Sequence, residues 1–347
     1  MLRCGFPKPG TLVGTAGVHL ALATGLRDSQ RRRHPTVAWE VCAKWMARSA
    51  DACSAVEVPG ACLGEECRSS REPKSPCFGA TSAVSWRLMS VPHRLKCAET
   101  WASNRGASSL ADLPGLRVWV HSTPFGAGDA GGDVHYISVC PSCMVSRVAL
   151  ADVSGHGQAV ASLSVKLREL MQKYLTSLEQ TSLMRDLNEA VMVELDGVHY
   201  ATMVAVGFHE RRGLLVMTNA GHPPAFWYRA NRHEWAWFEP RGAENLGGVK
   251  GAPLGLLPNV SYDRMIVRPE PGDLIVLYSD GVSEATNPAG TELGRDDLLT
   301  LARAIDPSSA AAFGMQLVQA VSEFRAGRVP EDDVTVIVLQ RFSAQPS

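Results

Sequence analysis

Four acidic points in this 347-residue chain share one local setting, an aspartate where an apolar run meets a glycine-rich or polar turn. They are Gly131-Gly132-Asp133, Asp152-Val153-Ser154-Gly155-His156-Gly157, Ser279-Asp280-Gly281 and Glu331-Asp332-Asp333. A single Asp-Gly pair marks a turn and nothing more. Four such points at strand ends place carboxylates where a sheet edge can gather them. Carboxylates are hard oxygen donors suited to Mg²⁺ or Mn²⁺, and several facing one point repel unless cations neutralise them. The pattern therefore implies divalent metal. Two such ions about 4 Å apart can bridge a water, lower its pKa towards neutrality and stabilise charge on a phosphoryl oxygen. That chemistry requires no covalent intermediate, and no Gly-x-Ser-x-Gly nucleophile elbow is present.

The elements that must carry these residues are legible in the apolar periodicity. Val118 and Val120 open a strand, a glycine-rich turn runs through Gly126 to Gly132, and Asp133 to Cys140 with Val145 to Asp152 reads as a hairpin. Val160, Leu163, Leu167, Leu170 and Tyr174 then recur at spacings of three and four, the signature of one helical face. A second helix is expected over Ser182 to Leu195. Strand runs return at Tyr200 to Phe208, Leu214 to Asn219, Ala225 to Arg229, Tyr262 to Val267 and Leu274 to Ser279. Helices over Asp296 to Ile305 and Ala310 to Phe324 precede a last strand, Val334 to Leu339. Strands in bursts with paired helices between them indicate an α+β layered domain of antiparallel sheets covered by helices.

The composition is that of a globular protein, with 45% hydrophobic and 20% charged residues and a net charge of −1, and gives no case for nucleic acid or membrane as partner. Charge is unevenly spread. Residues 1–95 hold 13 Lys and Arg against 7 Asp and Glu, a net of +6, leaving 21 against 28, a net of −7, for the remainder. That first segment has little periodicity beyond a short helical pattern at Val37 to Met46, and its Arg31 to Arg33 run reads as solvated charge. It is either a disordered extension or an artefact of a start codon placed ahead of Met89. Glycines and a missing cleavage site argue against a secretory signal over Thr11 to Leu26, and cytoplasm is the default location. Seven of the nine cysteines lie in the first 97 residues without a paired zinc frame. Cys140-Pro141-Ser142-Cys143 has redox-motif spacing but falls at a hairpin turn with no following helix, so it reads as a plain turn. The expected layout is an extension over 1–95, a folded α+β domain over 96–341 and a tail over 342–347.

From about Ala111 to Arg341 the chain resembles the metal-dependent protein phosphatases (PPM, or type 2C), and within them the bacterial SpoIIE- and RsbU-like branch. The motifs that carry the likeness stand in the family's order: Gly-Gly-Asp at 131–133, Ala-Asp-Val-Ser-Gly-His-Gly at 151–157, Ala-Thr-Met-Val at 201–204, Asn-Ala-Gly-His-Pro-Pro at 219–224, Pro-Leu-Gly at 253–255, Pro-Gly-Asp-Leu-Ile-Val-Leu-Tyr-Ser-Asp-Gly-Val at 271–282 and Asp-Asp-Val-Thr at 332–335. The resemblance implies a layered sandwich of two mainly antiparallel sheets flanked by helix pairs. It makes Asp152 the carboxylate bridging two cations, Mn²⁺ or Mg²⁺, assisted by the Val153 carbonyl. Asp280 and Asp332 become further ligands, and Asp133 acts through water or a third ion. Asp152 and Asp280 then serve catalysis through metal-activated water, and Asp333 supports Asp332 by hydrogen bonding.

Eukaryotic relatives hold the substrate phosphate with an arginine ahead of the first acidic motif. Here Arg117 is the sole arginine between Arg105 and Arg147 and lies in a strand, so the metals must hold phosphate and a specific protein substrate must supply the remaining binding energy. His156 and His222 read as structural rather than as general acids, and Ser154 as a helix cap. The resemblance further implies a serine/threonine phosphatase acting on a regulatory protein, by analogy an anti-sigma-factor antagonist, with the helices after Asp152 acting as a switch for an activating partner. The competing readings are a catalytically inactive scaffold of the same fold, and a hydrolase of small phosphoesters.

Overall fold

The structure, a computed structural model, describes residues 92–126, 129–155, 158–175, 180–238 and 251–342. The expectations for residues 1–91, the Val37 to Met46 helix among them, and for the 343–347 part of the tail lie outside the described residues.

In chain order the elements are β1 (His93–Arg94), β2 (Thr100–Arg105), β3 (Ala107–Leu113), β4 (Leu116–Thr123), β5 (Ala130–Val139), β6 (Val145–Val153), α1 (Gln158–Tyr174), α2 (Gln180–Glu194), β7 (Ala201–His209), β8 (Leu214–Ala220), β9 (Phe226–Arg229) and β10 (Glu234–Trp237). β11 (Met265–Val267), β12 (Leu274–Tyr278), α3 (Asp280–Ser283), α4 (Gly294–Arg303), α5 (Ala310–Arg325) and β13 (Val334–Arg341) complete the set. They form a seven-stranded sheet, β1-β3-β4-β13-β12-β9-β10, and a six-stranded sheet, β11-β8-β7-β6-β5-β2. Every pairing is antiparallel except β1 with β3.

Strand parity explains the layers. On β12, Ile275 and Leu277 enter the core between the sheets while Leu274, Val276 and Tyr278 face the opposite way, onto α4 and α5. On β6, Val148 and Leu150 point between the sheets, and Ala149, Ala151 and Val153 face α1 and α2. A strand buried on both faces loses its polar alternation, which is why these segments read as unbroken apolar runs. The result is four layers, helices on sheet on sheet on helices, as the sequence implied. The stripe Val160, Leu163, Leu167 and Leu170 is buried against the six-stranded sheet. Ser309 caps α5 by accepting the Ala312 N–H.

The structure departs from the sequence expectations at the edges. β1, β2 and β3 precede the first expected strand; their short polar segments hold no alternation strong enough to announce them. β10 was not expected either, and the strand foreseen from Tyr262 begins only at Met265. Ser279-Asp280-Gly281, read as a turn, starts the single-turn helix α3.

In the outer core, Phe313 is fully buried and stacks on Trp235 at a centroid distance of 5.0 Å. Phe313→Ala is expected to destabilise the fold by about 3–5 kcal/mol through lost burial and a residual cavity. Denaturant unfolding would measure it, and a change below about 1 kcal/mol would contradict this packing.

Candidate metal centre

β5 and β6 bring the first two acids together by register, since Asp133 lies directly opposite Asp152. Both have the parity of the residues facing the inter-sheet core, so both carboxylates point between the sheets at one end of the sandwich. β12 and β13 pair with Tyr278 opposite Val336, so the residues just after β12 and just before β13 reach that same end. Asp280 opens α3 there, and Asp332 and Asp333 lead into β13. Four sequence segments separated by up to two hundred residues thus meet at one point.

The electrostatics confirm how crowded this point is. Asp133 is buried, and neither of its carboxylate oxygens has a hydrogen-bond partner. Burial drives its carboxyl well above the ordinary range, and Asp333 and Asp280 add to the rise. The hydroxyls of Thr335 and Ser279 lie near enough to temper it, but they are engaged elsewhere: Thr335 Oγ1 donates to Ser122 Oγ at 3.0 Å, and Ser279 Oγ donates to the Asp333 carbonyl at 3.3 Å. Asp152 is pushed up to about 10, first by burial and then by the carboxylates of Asp133, Asp280, Asp332 and Asp333. Asp280 is also raised, chiefly by burial. Exposed Glu284, which the sequence did not single out, is raised by burial and by Asp280, Glu292 and Asp332. A buried carboxylate without a hydrogen-bond partner, Asp133, set among acids that disfavour one another's ionisation, has the donor chemistry of a hard-cation site.

Among the described residues no three His, Cys, Asp or Glu side chains are placed to hold one ion. Two of the acids make local hydrogen bonds. Asp280 Oδ1 accepts the N–H of Gly281 and Asp332 Oδ1 accepts the N–H of Asp333, each at 2.8 Å. Val153, whose carbonyl the resemblance adds to the ligand set, ends β6 beside Asp152, with its own side chain buried under α1.

Asp333 meets Asp332 through its backbone N–H, and its side chain serves a second purpose. Its carboxylate accepts the N–H groups of Phe125 (2.5 Å), Gly132 (2.5 Å) and Asp133 (3.0 Å), clamping the Asp133 segment to the other sheet. This clamp explains Gly131, because a Cβ there would collide with the Asp333 carboxylate. It also explains Gly281, where a Cβ would strike the Asp333 carbonyl. A second brace reaches the same segment from α1, with Ser164 Oγ donating to the Gly131 carbonyl at 2.7 Å and Asn104 Nδ2 donating to Ser164 Oγ at 2.9 Å. Asn104 and Ser164 escaped the sequence reading because nothing local marks them.

The remaining residues fall into place around this frame. His222 is buried, its Nδ1 is 2.8 Å from Thr202 Oγ1, and its backbone is bracketed by Asn219 on both sides. Burial holds its imidazole down to about 3, which makes it a neutral turn residue and no general acid. The Ser154 hydroxyl accepts the Tyr200 N–H and ties the Asp152 loop to β7. His156 lies outside the described residues. Arg117 forms a bidentate pair with Asp112 (2.7 and 3.0 Å) at the end of β4 remote from Asp332, so it does not serve phosphate.

Residues 145–342, more than half of the chain, match the family described as Stage II sporulation protein E (SpoIIE). The chain belongs to the SpoIIE family. Phosphoserine phosphatase RsbU of Bacillus subtilis (strain 168) is 28% identical over 196 residues, 56% of this chain and 55% of RsbU. Phosphoserine phosphatase RsbP of the same organism is 24% identical over 144 residues, 40% of this chain and 33% of RsbP. The chain thus spans about half the length, or less, of these two relatives. In fold, the SpoIIE-type sandwich superposes on the RsbU and RsbW domains of a Mycobacterium tuberculosis protein with a TM-score of 0.55 at 21% identity, covering 67% of this chain and 62% of that one. The PP2C phosphatase domain and regulatory fragment of SpoIIE from Bacillus subtilis gives 0.53 at 18% identity, covering 66% and 65%. This is the layered fold that the motif order implied.

Two outcomes test the site. A carboxyl whose folded pKa exceeds its unfolded one stabilises the fold fully below the unfolded value and loses that contribution as pH rises through the folded value. Asp152, at about 10 against an ordinary 3.8, should therefore make the chelator-treated protein melt higher at pH 5 than at pH 8. Asp152→Asn should flatten that slope, and identical slopes in the two proteins would contradict the crowding. Asp333→Ala, by stripping three N–H groups of their acceptor, is expected to cost about 1–3 kcal/mol in denaturant unfolding. No loss would show that the clamp is dispensable.

Proposed function

We propose that this chain is a metal-dependent serine/threonine protein phosphatase that hydrolyses phosphoserine or phosphothreonine on a regulatory protein. The observation that carries the proposal is the meeting of Asp133, Asp152, Asp280 and Asp332 at one end of the sandwich, with Asp133 left without any hydrogen-bond partner. Homology to two proteins named as phosphoserine phosphatases supports it. The domain would span 96–341, with an extension over 1–95 and a tail over 342–347.

In this reading Asp152, the Val153 carbonyl, Asp280 and Asp332 would hold two divalent cations, Mn²⁺ or Mg²⁺, and Asp133 would assist through water or a third ion. Such ions supply an activated water and neutralise charge on the phosphoryl group. The chain's own part is to orient: Asp333, Ser164 and Asn104 fix the Asp133 segment, and α3 presents Asp280. The arginine with which eukaryotic relatives hold phosphate has no counterpart ahead of the first acidic motif, so selectivity would rest on the substrate protein, by resemblance an anti-sigma-factor antagonist, with no role for nucleic acid or membrane. Among the described residues no helix is long and apolar enough to cross a membrane, and the setting we propose is cytoplasmic. Ser164 joins α1 to the Gly131 carbonyl, which gives an activating partner docked on α1 and α2 a direct route to the acidic segment.

Phosphate release from a phosphoserine peptide by the full chain, with and without Mn²⁺, tests the proposal. Activity should require the metal and fall at least a hundredfold in Asp152→Ala and Asp280→Asn, both of which remain folded. Metal binding without turnover on any phosphoprotein would favour the inactive scaffold. Equal rates on nucleotides and phosphopeptides would favour a small-phosphoester hydrolase.

A further inference from the structure

Three cysteines that the metal centre does not use converge at the opposite end of the β5–β6 hairpin. Cys97 is disulfide-bonded to Cys143 across a sequence separation of 46, with Cα atoms 5.0 Å apart. Cys140, a free thiol, starts the turn that Cys143 closes, the Cys143 N–H donating to the Cys140 carbonyl at 2.8 Å. Cys97 is held alongside: the Ala98 N–H donates to the Val139 carbonyl at 3.0 Å and the Val139 N–H donates to the Glu99 carbonyl at 3.1 Å, one residue from Cys140. The Cys140 sulfur accepts the Val145 N–H at 3.1 Å and lies 3.1 Å from the Ser142 hydroxyl. Partial burial raises this thiol, but Ser142 and the N–H groups of Val145, Met144 and Ser142 outweigh that effect and leave it below its ordinary value. Cys140 also borders a cavity of about 130 Å³ lined by Thr100, Tyr136, Pro141 and Leu175. The Cys-x-x-Cys spacing lacked a redox context in the sequence, and Cys97 supplies it.

We propose that Cys97, Cys140 and Cys143 form a thiol–disulfide exchange site, in which Cys140 attacks the Cys143 sulfur and displaces Cys97. Cys140 gives up its proton, a Cys140–Cys143 bond forms, the Cys97–Cys143 bond breaks, and its electron pair leaves on the Cys97 sulfur, which takes a proton. One disulfide replaces another, so no oxidant or reductant is consumed. Exchange converts a bond that ties the segment before β2 to the hairpin into one confined to the turn, which constrains the unfolded chain far less. In a cytoplasmic protein a disulfide is more often such a redox device than a structural staple.

The test is disulfide mapping by mass spectrometry on the full chain, purified without reductant, incubated at pH 8, then acid-quenched and alkylated. Cys143 is expected in a disulfide throughout, with its partner divided between Cys97 and Cys140 and the alkyl label divided reciprocally. Cys140→Ser should hold only Cys97–Cys143, and Cys97→Ser treated with oxidised glutathione should form Cys140–Cys143. Cys140→Ser should also melt a few degrees above Cys97→Ser. Wild-type label on Cys140 alone, together with failure of Cys97→Ser to form Cys140–Cys143, would overturn the proposal and leave a structural disulfide beside a spectator thiol. Pairing of Cys97 with one of the six cysteines nearer the N-terminus would overturn it too, as would three reduced thiols holding zinc.

Discussion

Carboxylates brought together out of water repel, and the rest of this structure is arranged around that constraint. Asp133, Asp152 and Asp280 sit where burial and neighbouring carboxylates both resist ionisation, and neither oxygen of Asp133 has a hydrogen-bond partner. No sequence would hold such a group for stability alone, because an apolar residue in each place would pack at lower cost. Its persistence is intelligible if cations complete it. Two of the acids also accept the N–H of the residue that follows them.

The four-layer sandwich is the device that forces the acids together. Two sheets packed face to face present their strand ends at a common rim, and β5, β6, β12 and β13 each deliver one acid there. Helix pairs on the outer faces bury both sides of those strands, so the ends cannot slip in register without exposing apolar side chains. Asp333 then links the sheets by accepting the N–H groups of Gly132 and Asp133 from the opposite one, together with that of Phe125 just after β4 of its own. The Ser164 hydroxyl ties α1 to the same segment through the Gly131 carbonyl. The far end of the same hairpin carries the cysteines, so one supersecondary unit holds both the acidic rim and a thiol cluster.

What the sequence by itself determined is considerable. Apolar runs meeting glycine-rich or polar turns singled out the four acids, the periodicity at Val160 to Leu170 located α1, and motif order was enough to imply the sandwich. Those signals are local, since they depend on side-chain period and turn chemistry within a few residues. The tertiary structure alone decided what depends on contacts between distant segments. It aimed Asp333 at Gly132 and Phe125, two hundred residues away, placed Asn104 and Ser164 behind Gly131, set Cys97 against Cys143, and added edge strands whose composition carries no alternation. A hydrogen bond or a disulfide across the fold leaves no trace in local pattern, because its partners meet only once the sheets have packed.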